Sequence, residues 1–158
     1  MGGVGSGLEF LVVLNNVNSP SRLVDFVKVA LSNNKVKIAA VVASRVSGMA
    51  AQTGVPEASK YAIKKNKAFF VLPTLQEVIE LLKPDKVYIV VNSEVAKSLT
   101  EVKGEINGRV MLVFNGVEGS LSKSELALGE HIRIEDYEET PPAPVSLAIV
   151  LRELTKTT

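Results

Sequence analysis

An α/β fold, with a mainly parallel sheet covered by helices on both faces, is what this sequence predicts, and three observations predict it. Apolar runs of strand length alternate with amphipathic helical segments along the chain. Most strand-like runs are continuously apolar instead of alternating, as in strands buried on both faces. The 158 residues contain no repeat or long linker, so one domain over residues 8–158 is expected behind a flexible glycine-rich leader at residues 1–7.

Residues 8–15 (LEFLVVLN) are the first apolar run, of strand length. Ser19 then supplies an N-cap oxygen and Pro20 suits the first helical position. Over residues 22–32, Leu23, Phe26, Val27, Ala30 and Leu31 recur at helical spacing on one face. Asn33-Asn34 ends that helix, and residues 36–43 are a second buried strand. A loop is expected over 44–53. The helix over 56–65 that follows is closed by Lys64, Lys65 and Lys67, whose charges suit a helix C-terminus. Residues 68–72 read as a short strand. Thr74 and Glu77 have capping-box spacing, each side chain answering the other's backbone N–H, and open a helix over 75–82 stopped by Lys83-Pro84. A strand over 87–91 leads to a short helix near 94–99, a turn at 104–108 and a strand over 109–114. Ser122 and Glu125 repeat the capping-box spacing before a short helix ending at Gly129. A strand at 131–134, a solvated acidic loop at 135–139 and a helix over 145–154 complete the order.

Composition excludes several classes of function. Eighteen basic and seventeen acidic residues give a formal charge of +1, so a nucleic-acid partner needs a local basic face. Cysteine is absent, which removes disulfide and thiol chemistry and fits a reducing cytoplasm. His131 is the one histidine, so no His-based metal centre is expected within a subunit. No apolar run approaches the ~20 residues of a membrane helix, and no membrane partner is expected. The glycines at residues 2–7 precede a strand, whereas a dinucleotide loop follows one. Pro84-Asp85 with Glu94 and Lys97 superficially matches the Pro-Asp…Glu-x-Lys metal site of restriction-type nucleases. That site needs Glu and Lys two apart, so that a strand aims both at one metal. Here they are three apart on an expected helix, which leaves a metal-dependent nuclease as a remote alternative.

The chemistry that remains is backbone chemistry. The turn Asn115-Gly-Val-Glu-Gly119 lies at the end of an apolar strand, where glycine lets backbone approach a ligand and where open α/β sheets bind one. Pro141, Pro142 and Pro144 stiffen the chain before the last helix, whose first turn leaves N–H donors free. Two such loops, about twenty residues apart in the sequence, suggest a small-molecule pocket built mostly of backbone.

Three stretches also carry a family resemblance. Residues 14–30 (LNNVNSPSRLVDFVKVA) resemble Asn-Pro-Gly-Asn-x-Gly-x-x-x-Arg-x-Ala, residues 114–122 (FNGVEGSLS) resemble Gly-Asn-Glu-Gly-x-Gly-Leu-Ser, and residues 144–148 (PVSLA) resemble Asn-Val-Ser-Val-Ala. In this order and placement the chain resembles the SPOUT superfamily, specifically the SpoU-type RNA 2′-O-ribose methyltransferases, over nearly its full length. The resemblance implies a C-terminal trefoil knot, an exception to the rule that chains do not thread loops. It implies a homodimer through the knot and the last helix, whose Val145, Leu147, Ala148, Ile149, Val150, Leu151 and Leu154 are apolar around most of the circumference. It also implies S-adenosylmethionine as cofactor, held by three loops. By position these are Val91, Asn92 and Ser93; then Asn115, Gly116, Val117, Glu118 and Gly119 with Leu121; then Ile134 with Pro144, Val145, Ser146 and Leu147.

Catalysis is implied for Arg22 and Lys28, which would bind phosphate or help ionise the attacking ribose hydroxyl. The implied activity is methylation of tRNA or rRNA on the ribose 2′-oxygen, in the cytoplasm. The sequence departs from the family pattern at several points. Lys28 stands where the family has its catalytic Arg, and Arg22 where it has an Asn. Ser21 and Val24 replace two glycines, Val117 and Pro144 each replace an Asn, and the second motif lacks a glycine before Leu121. Lys does not reproduce the planar fork of Arg. The alternative is therefore a non-catalytic protein of the same fold that binds S-adenosylmethionine or RNA. With no added RNA-binding domain in this sequence, RNA is expected on the dimer surface, through Arg22, Lys28, Arg45, Lys60, Lys64 and Lys65, which would position phosphates.

Overall fold

Strands that are apolar on both faces must be covered on both faces. The computed structural model, which describes residues 7–156, achieves this with one sheet. Among the described residues the chain runs β1 (Glu9–Val17), α1 (Pro20–Ser32), β2 (Ile38–Val46), a π-helical turn (Ala50–Gly54), α2 (Val55–Lys65), β3 (Phe69–Leu72) and α3 (Leu75–Leu82). It continues through β4 (Lys86–Val90), β5 (Lys97–Ser98), α4 (Leu99–Lys103), β6 (Arg109–Asn115), α5 (Lys123–Leu126), β7 (Glu130–Arg133) and α6 (Ala143–Thr155). The strand order is β3-β2-β1-β6-β4-β7-β5, and every pairing is parallel. The expected leader falls at residues 1–7, of which 1–6 lie outside the described residues.

The period of two in β1 sorts its side chains onto two cores. Phe10, Val12 and Leu14 pack with Leu23, Phe26 and Val27 of α1, Ala58 of α2, and Leu147, Val150, Leu151 and Leu154 of α6. Leu11 and Val13 face the other way, with Val42, Met111 and the α3 residues Leu75 and Val78. Phe26 meets Phe114 edge-on, with centroids 5.5 Å apart, which ties α1 to β6. From β1 the chain first builds outward through β2 and β3, then crosses to β4 and later inserts β6 between β1 and β4. The β1–β6 junction is therefore where the connections diverge, the place at which open α/β sheets form a crevice at their carboxyl edge.

Several boundaries differ from expectation for identifiable reasons. Strand β1 runs on to Val17 and β2 to Val46, because pairing continues as Asn15↔Ser44 and Val17↔Val46 after the apolar runs end. The loop expected over 44–53 is thus part strand and part π-helical turn. The helix expected near 94–99 is a turn, then β5 and α4. Lys97 and Ser98 pair with β7, and Ser98 forms a reciprocal capping box with Glu101, so the helix begins at Leu99. At Ser122 and Glu125 both arms of the expected box are present. At Thr74 only one is: its hydroxyl accepts the Glu77 N–H at 3.2 Å, while Glu77 Oε1 accepts the Thr74 hydroxyl at 2.8 Å in place of the backbone N–H. Helix α5 stops at Leu126, short of Gly129, and α6 begins at Ala143, with Pro144 accommodated in its first turn.

Candidate functional site

Three chain segments and one side chain from α1 meet at the carboxyl edge of β4 and β6. Strand β6 ends at Asn115, whose Nδ2 donates to the Gly119 carbonyl at 2.8 Å and whose Oδ1 accepts the Val117 N–H at 3.4 Å. One side chain thus braces the whole Gly-Val-Glu-Gly turn. Gly119 sits at φ +102°, a conformation that favours glycine. Gly116 is required for space: its N–H donates to the Asn15 carbonyl at 2.8 Å, and a Cβ there would lie 2.6 Å from the Asn16 carbonyl oxygen. Arg22 Nη1 donates to the Gly116 carbonyl at 2.9 Å, so the first turn of α1 is fastened to the glycine turn. From β4, Asn92 Nδ2 donates to the Glu138 carbonyl at 3.0 Å, which ties the β4 exit to the strap that leads into α6. Fully buried Ser146 donates from its N–H to the Pro142 carbonyl at 2.9 Å and from its hydroxyl to the Pro141 carbonyl.

These segments enclose a cavity of about 630 Å³. Its wall comprises Val90 and Asn92 at the end of β4, Phe114, Asn115 and Val117–Gly119 at the end of β6, the strap and helix start at Glu139–Ala143 with Ser146, and Arg22. The lining includes both apolar residues and the charged residues Glu118, Glu139 and Arg22. The α6 N-terminus opens here with no side-chain cap, leaving its partial positive charge turned to the cavity.

Directly behind the β1–β6 junction, on the opposite face of the sheet, lies a buried polar cluster. Asn15 Nδ2 donates to Glu125 Oε2 at 2.8 Å, the Ser44 hydroxyl donates to Asn15 Oδ1 at 2.7 Å, and Arg45 Nη1 pairs with Glu125 at 3.0 Å. Burial resists ionisation of Glu125, but the hydrogen bonds from Asn15, Ser122 and Arg45 outweigh it and hold the carboxyl below its ordinary value. The cluster pins the carboxyl ends of β1 and β2, and hence the Asn15 carbonyl that holds Gly116.

The residues expected at the site divide into two groups. Arg22, Asn92, Asn115, Val117, Glu118, Gly119 and Ser146 line the cavity, and Gly116 shapes its turn. Lys28 lies further along α1, its Nζ 5.8 Å from the centroid of the Tyr61 ring, and is not in the wall. Val91 donates its N–H to Ile132, and Ser93 accepts the Val95 N–H, so both serve the backbone of the β4 exit. Leu121 packs in the core on the other face, while Ile134 and Leu147 are buried in the α1–α6 core. Val145 points outward, 49% exposed, and Pro144 fills the first helical turn beside it. The wall also holds Val90, Phe114, Glu139, Thr140, Pro141, Pro142 and Ala143. The stiffness of Pro141-Pro142 was a visible signal for that strap; its acidic entry, Glu139, had none.

The nuclease pattern is not assembled. Asp85 precedes β4 and accepts the Arg109 N–H at 2.8 Å, whereas Glu94 follows β4. The five-residue strand between them puts the two acids roughly 16 Å apart along its axis. Among the described residues, no group of three His, Cys, Asp or Glu side chains is placed to hold a metal.

Sequence and shape point to different named proteins. The family model described as RecB-family nuclease (DUF2122) matches residues 48–153. ApeKORF2002P of Aeropyrum pernix, named a putative type II restriction enzyme, is 36% identical over 146 residues, covering 91% of each chain. By shape the chain is similar to the SpoU methyltransferase AviRb from Streptomyces viridochromogenes, with TM-score 0.69 and 12% identity over 98% of this chain and 59% of that one. AviRb is also solved in complex with the cofactor AdoMet. A structure concerned with the 2-OH methylation of C/U34 on tRNA superposes with TM-score 0.67 and 14% identity, over 92% of this chain and 93% of that one. The fold is that of the SpoU-type methyltransferases.

Proposed function

We propose that this chain, which belongs to the family described as RecB-family nuclease (DUF2122), binds S-adenosylmethionine in the carboxyl-edge cavity and methylates RNA on a ribose 2′-oxygen. The observation that carries the proposal is the convergence of three backbone loops and Arg22 on one cavity, in a fold shared with SpoU-type methyltransferases. The cavity fits the cofactor in kind. Its volume lies within the ~300–1,000 Å³ of small-molecule sites. Val90, Phe114 and the prolines offer apolar cover for an adenine, and the uncapped α6 N-terminus suits a carboxylate. Glu118 and Glu139 suit the sulfonium and amino cations. When bound there, S-adenosylmethionine supplies an electrophilic methyl group.

The chain's own contribution centres on Arg22. One of its five N–H donors is spent on the Gly116 carbonyl, and the residue lines the cavity. Donors held there stabilise the charge that grows on a hydroxyl oxygen as it loses its proton. Lys28, over Tyr61, would act at most on RNA flanking the reacting nucleotide. The homodimer and the C-terminal knot belong to the same proposal. The outer side of α6 leaves Val145 and Ala148 exposed, an apolar surface suited to a second copy.

Calorimetry with S-adenosylmethionine and its demethylated product, beside transfer of a labelled methyl group into tRNA and rRNA pools, tests this. Binding with incorporation supports the proposal. Binding without incorporation across several pools favours the non-catalytic alternative, and no heat at millimolar ligand overturns the cofactor assignment.

A further inference from the structure

Charge is unevenly spread on this nearly neutral chain. Residues 55–67 carry four lysines against one glutamate, whereas residues 135–139 carry four acids and no base. Elsewhere several cations are paired locally: Lys86 and Lys97 share Glu130, and Arg109 and Lys37 share Glu9. On the α1–α2 surface they are not. Among the described residues, Lys28, Lys60, Lys64, Lys65 and Lys67 have no carboxylate within salt-bridge distance, and all are exposed. Two of them are moreover drawn to one aromatic ring. Lys28 Nζ lies 5.8 Å and Lys65 Nζ 5.6 Å from the centroid of Tyr61. Gathering ammonium groups in this way costs repulsion unless an anion answers it, and phosphates along a nucleic-acid backbone are anions at regular spacing.

The placement specifies what is held. Helix α1 begins at the cavity with Arg22, and Lys28 lies about 9 Å further along its axis, on the way to the α2 lysines. Gly54, just before α2, approaches the α1 start so closely that a Cβ would lie 3.0 Å from Pro20 Cα, so the two helices form one continuous surface leading away from the site. We propose that the α1–α2 surface holds the phosphate backbone of the substrate RNA outside the reacting nucleotide, with Tyr61 organising Lys28 and Lys65. This proposal rests on the RNA methyltransferase assignment for its choice of RNA; the surface itself rests on charge and geometry.

The test is the salt dependence of binding to a labelled tRNA pool, measured by fluorescence anisotropy without cofactor. A variant carrying Lys60→Gln, Lys64→Gln, Lys65→Gln and Lys67→Gln is compared with one carrying Lys35→Gln, Lys83→Gln, Lys103→Gln and Lys123→Gln, which loses the same charge elsewhere. Each phosphate contact contributes about 0.7 to 0.9 to the slope of log K against log salt, so the α2 variant is expected to lose roughly 3 in slope. It should also bind about tenfold or more weakly near 0.15 M salt, a loss the dispersed variant does not share. S-adenosylmethionine affinity should be equal in both. The proposal is overturned if the α2 variant keeps the wild-type slope, if the dispersed variant loses as much, or if only duplex DNA binding responds. Loss of RNA slope in a protein that shows no cofactor heat supports the surface while refuting the methyltransferase assignment, so the two fail separately.

Discussion

A single methyl group added at Gly116 tests the site where its geometry is tightest. An alanine Cβ there would lie 2.6 Å from the Asn16 carbonyl oxygen, 2.7 Å from Val17 Cβ and 2.9 Å from Val17 Cα. Carbon meets a carbonyl oxygen comfortably at about 3.3 Å, so the ends of β1 and β6 must part by roughly 0.7 Å. Neither side yields easily, because the obstacles are backbone and a Cβ, and the Gly116 N–H is held by the Asn15 carbonyl. Overpacking of this kind costs about 1–3 kcal/mol, and in a chain of this size each kcal/mol lowers Tm by about 2–4 °C. Gly116→Ala is therefore expected to melt roughly 2–12 °C below the wild type. Because the same shift moves the carbonyl that anchors Arg22, S-adenosylmethionine affinity should fall by about tenfold or more. Gly104→Ala is the control: nothing lies within 4 Å of its added Cβ, and its φ of −77° is ordinary. Thermal melts with and without ligand, beside calorimetry, read both effects. A Gly116→Ala protein that melts and binds like the Gly104→Ala control would falsify the close approach of β1 and β6 on which the site depends.

Other perturbations separate the roles of neighbouring groups. Arg22→Lys, which loses the planar fork but keeps the charge, is expected to leave cofactor affinity within about threefold and to lower methyl transfer by about 10²-fold; unchanged turnover removes Arg22 from the reaction. Glu125 is held below the ordinary value of 4.5, so its carboxylate contributes stability above pH 4.5 that is lost as pH falls through its lower folded value. Glu125→Gln should cost about 1–3 kcal/mol in urea unfolding at pH 7 and progressively less as pH is lowered below 4.5; a cost that does not change with pH would mean that the network does not depend on the charge. Asp85→Ala, at the amino end of β4, should lower stability by about 1 kcal/mol through the lost Arg109 N–H bond. Combined with Glu94→Ala it should leave S-adenosylmethionine affinity unchanged. Divalent-metal-dependent cleavage of DNA or RNA that both substitutions abolish would restore the nuclease assignment.

How much of this was legible depended on whether the signal was local. Ser19-Pro20, the apolar spacing of α1 and the Ser122–Glu125 box each act within a few residues, and each formed where expected. The ends of β1 and β2 were not legible from hydropathy. Asn15 and Ser44 are polar yet buried, and only their pairing across strands and with Glu125, 110 residues away in sequence, makes that burial tolerable. The glycine turn was legible because glycine is the residue such a position requires. The rest of the cavity wall was carried by position within the resemblance, and position slips. Leu121, Ile134 and Leu147 sit beside the site in sequence but lie wholly in the cores, while Phe114 and Ala143, buried in the same core as Ile134 and Leu147, also border the cavity. Choosing between those directions needs the register of a strand or the phase of a helix, which a motif match does not supply.

The two sets of relatives disagree in name less than they do in chemistry, and the chemistry can be weighed on this chain. A metal-dependent nuclease needs carboxylates converging on one ion, and so makes demands on particular side chains. A site built of glycine turns, proline-stiffened straps and free helix N–H groups makes demands on backbone shape, and tolerates extensive replacement of side chains so long as that shape persists. Such a site can survive at 12–14% identity to chains of the same fold, with Val117 and Pro144 standing where the family pattern has asparagines. Here the backbone demands are met: Asn115 braces the turn, Gly116 is sterically obligatory, and Ser146 locks the proline strap. The side-chain demands are not, since Asp85 and Glu94 occupy opposite ends of β4. The cavity therefore favours cofactor binding over metal-dependent cleavage. Within the site, the step that depends on a side chain is the one assigned to Arg22, which is why substitution there discriminates between a methyltransferase and a protein that only keeps its pocket.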